Sequence, residues 1–293
     1  MLAFKVNPYL EKLAQKSKAV KKEFYPTPEE ENSLGSDPLE EDKHMPVFGL
    51  VHKYPNRVLV LLTLNCGAYC RFCTRRRSVS EILKGEISIT DLKKMVTYIK
   101  SHPQVNEVIL SGGDPLTVPD TLKVALKLFG SIKQIKIIRI GTRLPVSLPS
   151  AVDNQLLNIF KTSVQKPLYL IIHFEHPDEL TKETQLVIKK LRESGCILLS
   201  QTVFLKGIND NAKVLEELFT NLVTLGILPY YIFHNDGPKG TEHFTVPFKQ
   251  EAKIMDDLRK RVGGLACPTY ALDIAKAPYK IPLPYTKFPM SND

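Results

Sequence analysis

Residues 57–73 have the sequence RVLVLLTLNCGAYCRFC, and two different patterns meet within them. The apolar, β-branched run Arg57–Leu64 predicts a buried strand. Directly after it, Cys66, Cys70 and Cys73 follow a C-x3-C-x2-C spacing. Three thiolates on one compact loop can bind three irons of a cubane iron–sulfur cluster and leave its fourth iron open. The stretch therefore predicts a strand that carries a metal-cluster loop at its carboxyl end.

The other two cysteines supply no second arm for a structural zinc site. Zinc of that kind takes four protein ligands, usually from two C-x2-C arms. Cys196 begins a predicted apolar strand, and Cys267 is isolated before Pro268. A three-cysteine zinc site with one distant ligand is the remaining alternative for the loop. Five unevenly spaced cysteines also exclude a secreted disulfide scaffold and predict a reducing compartment, the cytoplasm.

Buried-type strands and amphipathic helices alternate along the rest of the chain. The predicted strands are Arg57–Leu64, Glu107–Leu110, Ile135–Ile140, Pro167–Ile172, Cys196–Leu205 and Pro229–Phe233. The predicted helices between most of them are Thr90–Lys100, Thr121–Phe129, Ala151–Phe160, Thr181–Ser194 and Ala212–Leu225. Strands that alternate with helices form a parallel sheet of βα units. Six such units predict an α/β fold, a partial and open (βα)6 barrel that is TIM-like but not closed.

The composition of the 293 residues is that of an ordinary globular protein, with 43% apolar and 24% charged residues. No apolar run approaches the roughly 18–20 residues of a membrane span. The start of the chain lacks the apolar core of a signal peptide, so an N-terminal helix is expected there. The formal charge of +9 comes from scattered Lys and Arg, apart from Lys16–Lys22 and Arg75–Arg77, and predicts a solvated basic surface. No motif indicates nucleic acid as a partner, and no segment indicates a membrane.

Three parts of the chain differ in their pattern. Residues 1–50 are expected to form a helical and extended arm, because Pro26–Pro46 is acidic and is interrupted by Pro and Gly. Residues 51–250 hold the six βα units of the predicted barrel. Residues 251–293 are expected to form a separate C-terminal segment.

Unusual residues stand at the points where the predicted strands end. The cysteine loop follows the first strand, Ser111–Asp114 the second, Gly141–Arg143 the third, His173 the fourth and Asp236 the sixth. In sheets of parallel strands, function sits on the loops at the carboxyl ends of the strands. Each of these groups is therefore expected to face one mouth of the barrel.

The chain resembles the lysine 2,3-aminomutase family from about Asp37 to Leu283. The matching blocks are Asp37-Pro38-Leu39, His52–Arg57, Cys73–Arg77, Leu110–Leu116, Ile140–Pro145, His173–Pro177, Leu199–Val203 and Pro229–Tyr231. Several blocks in one order are far more specific than any single block. The resemblance implies a radical S-adenosylmethionine enzyme, an isomerase that moves the α-amino group of an amino acid to its β carbon. It also implies three cofactors: a 4Fe-4S cluster, S-adenosyl-L-methionine and pyridoxal 5'-phosphate.

The resemblance further implies which residues bind these cofactors. The cluster ligands are Cys66, Cys70 and Cys73. The residues along or near S-adenosylmethionine are Ser111, Gly112, Gly113, Asp114, His173 and Gln201. Glycines let a backbone approach a ligand closely, and a carboxylate can accept from an ammonium group.

For pyridoxal phosphate, the resemblance indicates Lys280 as the lysine that holds the cofactor, in the C-terminal segment. Tyr54 and Arg57 are implied at its ring and phosphate. The family usually has a glycine-rich run before this lysine, whereas this chain has Ala275–Tyr279, so Lys276 stays a rival anchor.

The substrate also follows from the resemblance. Arg75 matches the position that binds the substrate carboxylate, for which its planar fork is suited. Asp236 and Asp273 match the two carboxylates that bind the ε-ammonium of lysine. Two acids close together in a dry pocket raise each other's pKa unless a cation lies between them. The resemblance therefore implies L-lysine as the substrate and β-lysine as the product.

Two other functions stay open at this point. A sister branch of the family supplies β-lysine to elongation factor P, and Asp37–Glu41 resembles that branch, whereas Cys73–Arg77 favours the free-lysine branch. A non-catalytic iron–sulfur binding protein would share the cysteine loop and would not need Lys280. The expected partners are lysine, a one-electron reductant protein and, in the sister branch, elongation factor P; a homo-oligomer is also expected. Larger family members have a zinc-binding, cysteine-rich tail that this sequence lacks, so no zinc-dependent oligomer is predicted.

Overall fold

The computed structural model describes residues 2–30, 37–79, 87–163, 165–235 and 237–283. Its centre is a single sheet whose strands follow one another in chain order. The strands are β1 (Leu50–Tyr54), β2 (Arg57–Thr63), β3 (Glu107–Gly112), β4 (Ile137–Thr142), β5 (Leu168–His173), β6 (Ile197–Val203), β7 (Leu228–Phe233), β8 (Thr269–Leu272) and β9 (Ile281–Pro282). Strands β2 to β8 are parallel, whereas β1 and β9 pair antiparallel at the two edges. Within the described residues β1 and β9 do not pair with each other, so the barrel is open.

Helices alternate with the parallel strands. They are α1 (Pro8–Lys16), α2 (Lys18–Phe24), α3 (Ile89–Lys100), α4 (Pro119–Gly130), α5 (Leu144–Ser147), α6 (Asn154–Thr162), α7 (Lys182–Glu193), α8 (Ala212–Thr224) and α9 (Phe248–Arg259). The partial barrel is confirmed, as are the six predicted strands and the five predicted helices, with bounds that differ by a few residues. The sequence patterns do not predict β1, β8, β9, α5 or α9.

The strands bury one face and leave the other partly open. Along β2, Val58, Val60 and Leu62 are buried, while Leu59 and Leu61 between them are partly exposed. The strands β3 and β4 alternate in the same way. The buried face packs against the apolar stripes of the helices in one continuous core, because a strand presents successive side chains to opposite faces. The inner face of the barrel is therefore left available for ligands.

The two N-terminal helices pack onto the cysteine loop. Leu10, Val20 and Phe24 form an apolar cluster with Ala68, which lies between the first two cysteines. Asn7 caps α1 by accepting from two backbone N–H groups, and its Nδ2 donates to the carbonyl of Gly67. The predicted N-terminal helix is thus confirmed as a helix pair, and this pair covers the outside of the loop.

No helix in the described part of the chain is both long and apolar enough to cross a bilayer.

Candidate active site

The cysteine loop brings three thiols close together at the carboxyl end of β2. All five cysteines of the chain are free thiols. Burial raises the pKa of the Cys70 thiol to about 12, and burial together with the neighbouring Cys73 and Cys70 raises that of Cys66 still further. The loop is closed by the backbone hydrogen bond from Cys73 N to Cys70 O at 3.1 Å. The sulfurs are therefore near enough to affect one another, and the three cysteines are partly buried.

This donor set fits the implied 4Fe-4S cluster. The raised pKa values keep the thiols protonated until a metal displaces the protons. In the described part of the chain, no group of three His, Cys, Asp or Glu side chains is placed to share a single metal ion. Thiolates of a cubane each bind a different iron, so their sulfurs need not converge on one point. The arrangement favours a cluster over the three-cysteine zinc alternative.

The glycines after β3 let its backbone meet the cysteine loop. Gly112 has a φ of 111°, a conformation that favours glycine. A Cβ at Gly112 would lie closer than 3.0 Å to the carbonyl oxygen of Thr63, and one at Gly113 would lie as close to that of Asn65. Close packing against the backbone therefore explains why both positions are glycine. Their contact with S-adenosylmethionine stays a prediction.

Asp114 links the ends of two neighbouring strands, β3 and β4. Its carboxylate is buried and accepts from Thr142 Oγ1 at 2.8 Å and from the backbone N–H groups of Arg143 (2.7 Å), Leu144 (2.8 Å) and Leu116 (3.1 Å). Both oxygens of the carboxylate thus already accept hydrogen bonds from the chain's own groups. Asp114 therefore positions the loops after β3 and β4, and its predicted contact with a cofactor ammonium remains untested.

His173 and Gln201 lie side by side, because β5 and β6 pair His173 with Gln201. Gln201 Nε2 lies 2.9 Å from His173 Nε2, and His173 Nδ1 lies 2.9 Å from Glu175 Oε1. In these contacts Nδ1 can donate to Glu175, and Nε2 can accept from Gln201. The structure brings the two predicted residues together, and it adds the buried Glu175, which sequence reasoning missed.

Arg75 is paired with a residue of the N-terminal arm. Its Nε and Nη2 donate to Glu41 at 2.9 and 2.6 Å, and its Nη1 faces Ser111 Oγ at 3.3 Å and the carbonyl of Gly112 at 3.4 Å. One side of the guanidinium is thus held by Glu41, and Nη1 points to the end of β3. Sequence reasoning missed Glu41, although its acidic segment and the run of arginines are both visible in the sequence.

The other arginines of the loop are also paired with acidic side chains. Arg71 and Arg76 both donate to Glu30, and the three side chains are almost completely buried. Arg77 forms ion pairs with Asp37 and Asp42. The interpretation of a solvated basic surface is wrong for this run, because the acidic arm neutralises it.

Lys280 and Asp273 form an ion pair on the inner side of the sheet. Lys280 Nζ donates to Asp273 Oδ2 at 2.5 Å and lies 4.3 Å from the ring centroid of Phe233 and 5.8 Å from that of Tyr231. Burial lowers the pKa of Lys280, and the charge of Asp273 opposes this shift. A carboxylate beside two aromatic faces is a suitable environment for a primary ammonium group.

Residues of β1 and β2 complete this group. Tyr54 donates its hydroxyl to Asp273 Oδ1 at 3.1 Å, and Lys53 Nζ lies 3.4 Å from the same oxygen. The guanidinium of Arg57 stacks on the ring of Tyr54 at 3.9 Å. The structure therefore brings Tyr54, Arg57, Asp273 and Lys280 together, as expected, and adds Lys53, which sequence reasoning missed.

Two predicted residues remain to be placed. Lys276, the rival anchor, is exposed to solvent, whereas Lys280 is partly buried. Asp236 lies outside the described residues, so its predicted contact with the substrate is not located.

Comparisons with known proteins agree with this geometry. The sequence pattern of the Radical SAM superfamily matches residues 60–218, and membership of that superfamily implies a 4Fe-4S cluster and S-adenosylmethionine. A radical SAM methyltransferase from Sphaerobacter thermophilus has a similar fold, with a TM-score of 0.55 at 15% identity over 76% of this chain and 68% of that chain. At this identity the likeness shows the fold alone.

Curated relatives share much more sequence. The chain is 40% identical to the L-lysine 2,3-aminomutase of Methanococcus maripaludis, over 86% of this chain and 58% of the relative. It is 39% identical to that of Clostridium subterminale, over 90% of this chain and 64% of the relative. For Buchnera aphidicola subsp. Baizongia pistaciae the identity is 42%, over 79% of this chain and 68% of the relative. The chain thus spans less than two thirds of the first two relatives. Identity at this level over most of the chain, with the superfamily pattern across more than half of it, makes the chain a member of the lysine 2,3-aminomutase family within the radical SAM superfamily.

Proposed function

We propose that the chain is an L-lysine 2,3-aminomutase that converts L-lysine to β-lysine. The observation that carries the proposal is the ammonium group held at Asp273. Lys280 places a primary ammonium 2.5 Å from this carboxylate and beside the rings of Phe233 and Tyr231. The ε-ammonium of lysine has the same chemistry, so the pocket suits a substrate with a charged amine at the end of its side chain.

The other end of the substrate is assigned to Arg75. Its Nε and Nη2 are used by Glu41, which fixes the plane of the guanidinium. The Nη1 group then faces Ser111 at the end of β3, where a carboxylate can be bound. Asp236, outside the described residues, is proposed as a second acid for the ε-ammonium.

We assign the cofactors to two groups of residues, one around the cysteine loop and one around Lys280. When bound, the cluster and S-adenosylmethionine supply a carbon radical that removes a hydrogen atom, and pyridoxal phosphate supplies a conjugated ring that lets the nitrogen migrate. We assign Cys66, Cys70 and Cys73 to the cluster. The residues proposed at S-adenosylmethionine are Ser111, Gly112, Gly113, Asp114, His173 and Gln201.

Lys280 is proposed as the lysine that holds pyridoxal phosphate. Around it, the described side chains include the cations Lys53, Arg57 and Arg139 and the acids Asp273 and Glu107. This surplus of positive charge on the inner face suits a phosphate group. Burial lowers the pKa of Lys280, which favours the neutral, nucleophilic amine.

The proposal includes the setting of the reaction. A reductant protein would supply one electron to the cluster, and a reducing compartment such as the cytoplasm would keep the thiols free. A homo-oligomer is also proposed. The product would be either free β-lysine or β-lysine for elongation factor P, and both uses share the same chemistry.

The test is anaerobic reconstitution with iron and sulfide, followed by incubation of lysine with S-adenosylmethionine, pyridoxal phosphate and dithionite. Mass analysis should find β-lysine, and Cys70→Ala should abolish its formation. Absence of β-lysine from a chain that holds an intact cluster would contradict the proposal. A chain that binds a cluster but develops no visible absorbance with pyridoxal phosphate would instead support a non-catalytic iron–sulfur binding protein.

A further inference from the structure

Arg143 brings a buried positive charge to the middle cysteine of the loop. It follows β4 directly, and its backbone N–H donates to Asp114 Oδ2 at 2.7 Å, which fixes the start of its side chain. Its Nη1 donates to Cys70 Sγ at 2.8 Å. The guanidinium lies over the rings of Phe24 and Phe72, with 4.6 and 5.0 Å to their centroids. These rings shield the contact from water.

Two carboxylates hold the guanidinium in this position. Nη2 donates to Glu23 Oε2 and, at 2.6 Å, to Glu179 Oε1. Both glutamates are completely buried, and Arg143 is only 8% exposed. Glu23 belongs to α2, so the N-terminal helices take part in this arrangement. Buried ion groups are often no more stabilising than apolar side chains of the same volume. Stability alone therefore does not account for a cation at this place.

The contact with sulfur indicates what the cation does. Among the described residues, Cys70 is the one of the three loop cysteines that accepts a hydrogen bond from a charged side chain. Hydrogen bonds to the sulfur ligands and the net charge around them set the reduction potential of an iron–sulfur cluster. A cation stabilises the reduced state, which carries one more negative charge than the oxidised state. Uptake of one electron is then more favourable.

We propose that Arg143 raises the midpoint potential of the cluster through its hydrogen bond to Cys70, and that Glu23 and Glu179 position it for this. The inference rests on the proposed function, because it requires that the three cysteines bind a cluster. It adds a residue that binds neither the metal nor the substrate and that sets how readily the cluster accepts its electron.

The experiment compares the reconstituted wild-type chain with Arg143→Gln and Arg143→Lys. Redox titration with dithionite and mediators, followed by EPR of the reduced cluster, gives the midpoint potential. In Arg143→Gln we expect unchanged iron and sulfide content and a reduction equilibrium shifted about tenfold toward the oxidised cluster, which is about 59 mV for one electron. Arg143→Lys keeps the positive charge, so its midpoint potential should lie between those of the wild type and Arg143→Gln. The control is Arg261→Lys, since Arg261 pairs with Glu216 at the surface rather than with a cysteine, and the cluster of this variant should have the midpoint potential of the wild type.

The possible outcomes separate the two proposals. An unchanged potential in Arg143→Gln with an intact cluster overturns this inference and leaves the proposed function standing. A wild-type chain that takes up no iron and sulfide overturns the proposed function itself.

A measurement on the unsubstituted chain keeps the inference testable if Arg143→Gln does not fold. Wild-type protein labelled with 15N in its arginine side chains should show a 15N hyperfine coupling to the reduced cluster by ENDOR. The coupling should persist in Arg75→Lys and in Arg76→Lys, because the charges of these two arginines act on Cys73 rather than on Cys70. Absence of the coupling overturns the inference.

Discussion

Replacing Asp273 by Asn removes one negative charge at nearly constant size, and it tests the carboxylate that the proposed substrate ammonium needs. In the structure, this carboxylate accepts from Lys280 at 2.5 Å and from Tyr54 at 3.1 Å, and its side chain is 19% exposed. A hydrogen bond between charged groups contributes roughly 1.5–3 kcal/mol, and about 1.4 kcal/mol is a factor of ten in a binding constant. We therefore expect the KM for lysine to rise roughly 10- to 150-fold, with the cluster content unchanged.

The assay pairs lysine turnover with inhibition by norleucine, which has the carbon chain of lysine without the ε-ammonium. The inhibition constant of norleucine should be the same in the wild type and in Asp273→Asn, because norleucine has no group for this carboxylate to bind. Asp257→Asn is the matched control, since Asp257 lies on α9 and pairs with Lys260 at the surface. An unchanged KM for lysine in Asp273→Asn would refute the assignment of Asp273 to the substrate.

The same substitution has a pH signature in the stability of the cofactor-free chain. Burial alone would raise the pKa of Asp273, but the charges of Lys280 and Lys53 and the hydrogen bonds from Lys280 and Tyr54 outweigh it, so its pKa lies below the usual 3.8. A carboxyl whose pKa is lowered on folding contributes stability that is present above its unfolded pKa and lost as the pH falls through its folded pKa. The difference in unfolding free energy between wild type and Asp273→Asn should therefore be constant near neutral pH and shrink below about pH 4. Denaturant titrations would contradict the ion pair if this difference stayed constant down to about pH 2.

Three further substitutions test the cysteine loop and the anchor lysine. Glu30→Gln leaves the two buried arginines of the loop short of a counter-charge and should cost about 3–5 kcal/mol of unfolding free energy in denaturant titrations, whereas the same change at its exposed neighbour Glu29 should leave the unfolding free energy unchanged. Gly113→Ala should reduce the iron bound after reconstitution, because its Cβ would collide with the backbone of the cysteine loop, while Gly263→Ala, with no atom within 4 Å of its Cβ, should bind iron as the wild type does. Lys280→Met should abolish the visible absorbance that pyridoxal phosphate acquires on binding, whereas Lys276→Met, at an exposed lysine, should leave it intact. The reverse result would identify Lys276 as the lysine that holds the cofactor.

Most of the barrel could be predicted from the sequence because its signals are local. A strand such as Arg57–Thr63 is marked by a run of β-branched and apolar residues, and α3 by apolar residues at helical spacing. The short edge strand β9 has only two residues, Ile281 and Pro282, and no periodicity to detect. Its pairing with β8 depends on a contact between chain segments that the local sequence does not encode.

The candidate site also has features that the local sequence predicts and features that depend on contacts between distant segments. The cysteine spacing and the turn Ser111–Asp114 are contiguous motifs, and sequence alone placed both at strand ends. Glu41 is one acid of an acidic run and Glu23 is isolated among lysines, and nothing in the sequence pairs either of them with a particular arginine. Charge complementarity between the acidic arm and Arg75–Arg77 was the available signal, but many pairings would have satisfied it.

The sequence by itself determined the order of strands and helices, the three thiols of one loop and, through the family resemblance, the choice of Lys280 and Asp273 as candidates. Only the tertiary structure decided which charges meet: Arg75 with Glu41, Arg143 with Cys70, and Lys280 with Asp273. The physical reason is that backbone periodicity is a property of neighbouring residues, whereas the pairing of buried charges depends on which distant segments the fold brings within hydrogen-bonding distance.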